Sequence, residues 1–310
     1  MAPEDAERPV AAALPTPQAP VSPAASVQRA EPSEAQLAMA SFAMIREAIQ
    51  LAEKDAARSS KARKPTANDS SGRATILIGV LRSDKQSAQR RIAAWGLCDF
   101  TEMPAVVSAL ATAVKRDSSE AVREMAAWSL GSGDASNAAR DALIDAIRSE
   151  RSESVLYTAT WGVGELGIAL DDAVLADLSR PLTSASARVR EVAAWSLGSL
   201  QPDKAPKALV NALADRDSLV RITAAWALHE IADPAALAAL DGALRREKNP
   251  VVQVAMVRAI AMLGEPAVQT LKRLVDDPDS QVRAMAVRAI AGGSLHEPWP
   301  QPRPFPRPFP

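Results

Sequence analysis

Five tryptophans stand at one point of a repeated phrase: RRIAAWGL around Trp95, REMAAWSL around Trp128, YTATWGVG around Trp161, REVAAWSL around Trp195 and ITAAWALH around Trp226. The steps between them are 33, 33, 34 and 31 residues. Two further copies, VAMVRAIAML and RAMAVRAIAG, keep the register but carry Arg258 and Arg288 where the others have tryptophan. A unit this short cannot bury its apolar face alone, so self-similarity at this period implies one supersecondary unit stacked on itself.

The unit reads as a helical hairpin. Around Trp128, Val122, Met125, Ala126 and Leu130 recur at amphipathic spacing, and Ser119 stands where a cap belongs. Ser152, Ser186, Asp217, Asn249 and Asp279 fill the same position in later copies, with Gln86 departing in the first. A second amphipathic stretch precedes each, as in residues 105–114, 139–147, 205–213 and 234–244. No stretch alternates apolar and polar residues for long, so strands are not expected. The expected fold is therefore all-α, an α-α superhelix of about seven hairpins spanning residues 73–293.

The flanks differ. Residues 1–32 are rich in proline and alanine and read as a disordered tail or linker. Residues 33–57 read as a capping helix with Leu37, Phe42, Ile45, Ile49 and Ala52 along one side, and 58–72 as a polar, basic linker. Residues 294–310, with proline at every second position from Pro298 to Pro308, favour an extended or polyproline II tail. A net charge of −1 gives no general pull towards nucleic acid, and Cys98 is the single cysteine, so an internal disulfide is excluded. No apolar run approaches a membrane span, nor does the N-terminus read as a signal peptide. The chain as written is expected to be cytoplasmic, or extracytoplasmic as a fragment of a membrane protein.

The phrases SEAVREMAAWSLG and SARVREVAAWSLG resemble the HEAT-like repeats first named from phycobilisome lyases. The tryptophan-bearing version is also similar to the C-terminal region of some bacterial antirepressor-type membrane metallopeptidases. The resemblance implies an α-α superhelix whose second helices line the concave face. It leaves function open among bilin lyases, a di-iron hydroxylase and binding scaffolds.

At about 100° per residue, Trp128 lies well round its helix from Val122, Ala126 and Leu130. The expected site is thus a concave row of Trp95, Trp128, Trp161, Trp195 and Trp226, continued by Arg258 and Arg288. Glu124, Tyr157 and Glu191 fall one turn before the row and Glu165 and Glu230 one turn after it. The competing reading makes the tryptophans inter-repeat packing alone. An aromatic, mildly acidic groove suits an extended polypeptide with apolar or proline residues and some positive charge, and the chain's own PRPFPRPFP tail fits that description. Nucleic acid is not an expected partner, because its backbone calls for a cationic track.

Enzyme readings lack parts. The hydroxylase of this fold uses several His-Glu pairs, whereas only His229-Glu230 and His296-Glu297 occur here, the second pair outside the repeats. No acid–base constellation stands out, and Cys98 reads as a small packing residue. The expectation is a non-catalytic interaction scaffold with no catalytic residue, metal or cofactor. A lyase-like enzyme or chaperone acting on a bound chromophore is one alternative, and a regulatory appendage of a membrane metallopeptidase another. The recurrent Arg90, Arg123, Arg190, Arg221 and Arg283 are expected to bridge to Asp84, Asp117, Asp215 and Asp277 and so join adjacent repeats.

Overall fold

A computed structural model describes residues 70–168 and 171–292. The segments 1–32 and 33–57, most of the linker 58–72 and the tail 294–310 lie outside the described residues. Helix α1, Ser70–Ser83, opens before the expected repeat boundary and pairs with α2, Ser87–Gly96. Then follow α3, Pro104–Arg116, with α4, Glu120–Ser132, and α5, Asn137–Ser149, with α6, Glu153–Leu166. Next come α7, Asp172–Ser179, with α8, Ala187–Leu200, and α9, Lys207–Asn211, with α10, Ser218–Ile231. Last are α11, Leu237–Leu244, with α12, Pro250–Met262, and α13, Val268–Leu274, with α14, Ser280–Ile290. These are seven hairpins, and no strand occurs among the described residues.

The second helix of each hairpin starts where the sequence places it. Gln86, Ser119, Ser152, Ser186, Asp217, Asn249 and Asp279 are the N-cap residues of α2, α4, α6, α8, α10, α12 and α14. The side chains of Ser152, Asp217, Asn249 and Asp279 accept backbone N–H groups, offsetting donors that a helix start leaves orphaned. Ser119 and Ser186 hold the position without that bond. The Ser186 hydroxyl donates instead to Glu153 in the repeat before. Ser152 likewise donates to Glu120 at 2.6 Å, so the caps also tie neighbouring second helices together.

Proline shapes the first helices. Pro181 interrupts the α pattern after α7, and the chain continues as a 3-10 turn over Arg180–Thr183. A 3-10 turn containing Pro234 leads into α11, and one containing Pro266 into α13. The first helices are consequently the shorter layer in the C-terminal half, and the stacking of the second helices carries the repeat.

That stacking is close because the residues between the helices are small. Ala93, Ala94, Ala126, Ala127, Ala193, Ala194, Ala224 and Ala225 are fully or almost fully buried. A methyl group added at Gly131 would collide with the Cα of Gly162 in the next second helix. At Gly164 it would lie 2.9 Å from Ser196 Cα, and at Gly198 2.8 Å from Ala227 Cα. Buried hydroxyls exploit the same approach: Ser129 Oγ donates to the Ala94 carbonyl and Ser196 Oγ to the Thr160 carbonyl, each at 2.8 Å.

A row of arginines ties the repeats on the other side of these helices. Arg90 Nε and Nη2 donate to Asp117 at 2.7 and 2.8 Å, and Arg190 makes the same paired contact with Asp215 at 2.6 and 2.8 Å. Arg123 bonds Glu150 and Arg221 bonds Glu247, so glutamate alternates with the expected aspartate. Each acid belongs to the following repeat, and the arginine's Nη1 also donates to a carbonyl before its own helix, as at Asp84, Asp117 and Asp215. Asp84 and Asp277 take part through those carbonyls, Asp277 receiving Arg283 at 2.7 Å. The bridges therefore run forward from repeat to repeat, and the carboxylate oxygens meanwhile hold the next N-terminus, as Asp117 does for the Ser119 N–H.

Candidate functional site

Each second helix turns one stripe away from both its hairpin partner and the arginine row. The stripe contains four rows: seven and four residues before the tryptophan position, the position itself, and four residues after it. Among the expected site residues, Trp95, Trp128, Trp161 and Trp195 are half-buried, as are Glu124, Tyr157, Glu191 and Glu230. Glu165 and Arg288 are exposed. Trp226 and Arg258 are more enclosed than the sequence reading has them, with 8% and 5% of their surface accessible.

Glycine explains the inclination of the rings. Trp161 Cζ3 lies 3.4 Å from where a Gly131 methyl would be, and Trp195 and Trp226 approach Gly164 and Gly198 to 2.8 and 2.6 Å on the same measure. Each of these three rings thus leans over the second helix of the preceding repeat, into space left by a missing side chain. One part of the ring seals the inter-repeat seam, and in the half-buried cases another part meets solvent. His229 replaces this glycine at the end of α10, and Ala261 at the end of α12.

Electrostatics divide the stripe. On α4, burial pushes the Glu124 carboxyl above the ordinary carboxylate range, with Glu120 adding to the rise and Arg91 and Arg188 opposing it. Burial also raises Glu191 on α8, with Asp217 adding to the rise and Arg188 opposing it. Tyr157 of α6 lies between them in register and is likewise pushed up by burial. The guanidinium carbon of Arg188 stands 5.0 Å from the centroid of the Tyr157 ring, within cation–π range. Burial lowers Arg91, with Glu124 opposing.

Towards the C-terminus the stripe also exposes apolar side chains on α10 and α12, beside the half-buried Glu230, before the exposed Gln281 and Arg288 of α14. Leu219 and Val251, seven residues before Trp226 and Arg258, are 52% and 57% exposed, and Met262 at the far end of α12 is 54% exposed. These three side chains give α10 and α12 exposed apolar surface beside the charged one of α4, α6 and α8, with Trp226 enclosed beneath. Sequence reasoning missed Arg188, Leu219 and Val251. Their common offset from the tryptophan position is the signal that identifies them, since two helical turns return to the same face.

Among the described residues, no group of three or more His, Cys, Asp or Glu side chains is placed to hold a metal ion. No described helix is long and apolar enough to cross a membrane.

The repeats are recognised independently of this geometry: the family model for HEAT repeats matches residues 74–164, 175–253 and 242–298. The chain belongs to the HEAT repeat family. Several solved structures are similar to these HEAT repeats. A designed armadillo repeat protein in complex with the peptide (KR)4 is 19% identical, over 71% of this chain and 98% of that one, with a TM-score of 0.43. Human deoxyhypusine hydroxylase in complex with glycerol is 20% identical, over 71% and 95%, with a TM-score of 0.34. The complex of CpcE and CpcF of phycocyanin lyase from Nostoc sp. PCC7120 is 21% identical, over 74% and 78%, with a TM-score of 0.37. No curated protein matches the chain. HEAT repeats present extended surfaces of the kind used for protein interaction.

Proposed function

We propose that the chain is a non-catalytic interaction scaffold whose second-helix stripe binds an extended polypeptide carrying proline, aromatic and arginine residues. The observation that carries this reading is the division of the stripe: half-buried carboxylates and aromatic rings on α4, α6 and α8, and exposed Leu219, Val251 and Met262 on α10 and α12. A ligand combining cationic and apolar groups along one strand answers both halves. The close approach of successive second helices supports placing the stripe on the inner side of the stack, where an extended chain can run across several repeats.

The chain's own C-terminal segment has the required chemistry, with Arg303 and Arg307 alternating with Phe305 and Phe309 among prolines. Polyproline II advances about 3.1 Å per residue and neighbouring helices lie about 10 Å apart, so about three residues span one repeat. The proposed docking takes place within one molecule or between two.

The test is to replace Arg303, Phe305, Arg307 and Phe309 together by alanine in the full chain, leaving Trp299 in place. A docked tail gives a red shift of tryptophan emission on replacement or, where docking is between molecules, a fall in oligomer size. Unchanged emission and unchanged size would remove the tail as the ligand.

A further inference from the structure

We propose that the face of Tyr157, between Glu124 and Glu191, is a seat for a guanidinium group, occupied in the free chain by Arg188 and surrendered to an arginine of the bound polypeptide. This rests on the groove reading above and adds to it the chemical group recognised and an internal competitor.

Placement carries the inference. Glu124, Tyr157 and Glu191 occupy one register position on the successive helices α4, α6 and α8, each half-buried on the stripe. Adjacent helices lie about 10 Å apart, so a cation lying on the Tyr157 ring has a carboxylate in the neighbouring repeat on either side, close enough to act through its charge without direct contact. Such a cation is present: Arg188, one repeat further on, rests 5.0 Å over that ring. Its charge acts on both glutamates, counteracting the rise that burial imposes on each.

Arg188 differs from the structural arginines of the fold. Arg190, two residues later, is buried and clamped by Asp215, whereas Arg188 is exposed and forms no ion pair among the described residues. At its register position the other repeats carry Ala88, Ala121, Ser154, Leu219, Val251 and Gln281, so a cation over the preceding ring is particular to this repeat. Among the described residues Arg188 is held by Tyr157 alone, through the ring face and a hydrogen bond to the phenol, and an exposed side chain with so few ties is open to displacement by a group of the same chemistry. The spacing of the tail's arginines fits more than one contact. Arg303 and Arg307 are separated by about 12 Å in polyproline II, close to one repeat, so when one lies on Tyr157 the other is near the next acidic position.

Tyr157 is the single tyrosine of the chain, so selective isotope labelling of tyrosine gives one ring signal set in the full-length protein. The experiment uses the full chain with Arg303→Ala and Arg307→Ala, which removes the tail's own arginines from competition, and titrates it with the peptide PRPFPRPFP. Binding should shift the Tyr157 ring signals, and Arg188→Ala should tighten binding about fivefold by removing the competitor. A control peptide, PAPFPAPFP, should leave the ring signals in place. If the arginine peptide changes tryptophan emission but leaves Tyr157 unmoved, or if Arg188→Ala leaves its affinity unchanged or weaker, the seat is refuted while the groove stands. If neither protein binds the peptide, the seat and its groove ligand fall together.

Discussion

At the scale of single residues, the charged groups divide into two sets with opposite energetic signs. Burial alone would raise Asp117, Glu150, Asp215 and Glu247, yet Arg90, Arg123, Arg190 and Arg221, with backbone N–H groups, hold all four below the ordinary carboxylate range. A depressed carboxyl contributes stability that is complete above its unfolded value and lost as pH falls through its folded value. Arg123→Ala should therefore lower stability by about 2 kcal/mol at neutral pH, because it strands the largely buried Glu150. The loss should shrink in acid, which thermal melts across that range would show. Glu191 has the reverse sign: its folded carboxyl is raised by burial and by Asp217, so ionisation opposes folding at neutral pH. Glu191→Gln should raise the melting temperature at pH 7, and the gain should vanish where both states are protonated. A gain that persists in acid would mean the glutamate is destabilising for a reason other than its charge.

At the scale of the helix, the small-residue seam controls stability more than helix propensity does. Gly164→Ala or Gly198→Ala must push Trp195 or Trp226 off the preceding helix, and overpacking of this kind costs about 1–3 kcal/mol. Gly79 in α1 has open space around its missing side chain, so Gly79→Ala should instead stabilise by about 0.5–1 kcal/mol. Denaturant midpoints for the three variants check both signs. The second helices were legible in the sequence because caps, periodicity and the tryptophan phrase agree at one register. The inclination of the rings was not, since it depends on which glycine of one helix faces which ring of the next. The arginine bridges were legible as a pattern but not in full, because Glu150 and Glu247 replace aspartate with a longer reach. Arg188 escaped for a related reason: a repeat motif highlights what recurs, and this residue matters by being an exception.

At the scale of the molecule, a stack of repeats is stabilised by its neighbours, so its described ends and middle should differ. Val287 and Ile290 in α14 are half exposed, while their counterparts Ala194 and Leu197 in α8 are fully buried. Amides of α14 should therefore exchange at least about tenfold faster than those of α6 and α8, and uniform protection would show that the stack unfolds as one unit. The number of hairpins follows from the repeat period alone. The proposed binding surface is the stripe as a whole, acidic and aromatic on α4, α6 and α8 and exposing Leu219, Val251 and Met262 on α10 and α12. The most direct measurement is photo-crosslinking of the full chain with PRPFPRPFP carrying benzoylphenylalanine at one of its two phenylalanine positions, with adducts mapped by mass spectrometry. Adducts are expected on the stripe of α8, α10 and α12, around Trp195, Leu219, Val251 and Met262. Adducts confined to the first helices, or scattered over the surface without saturation, would contradict it.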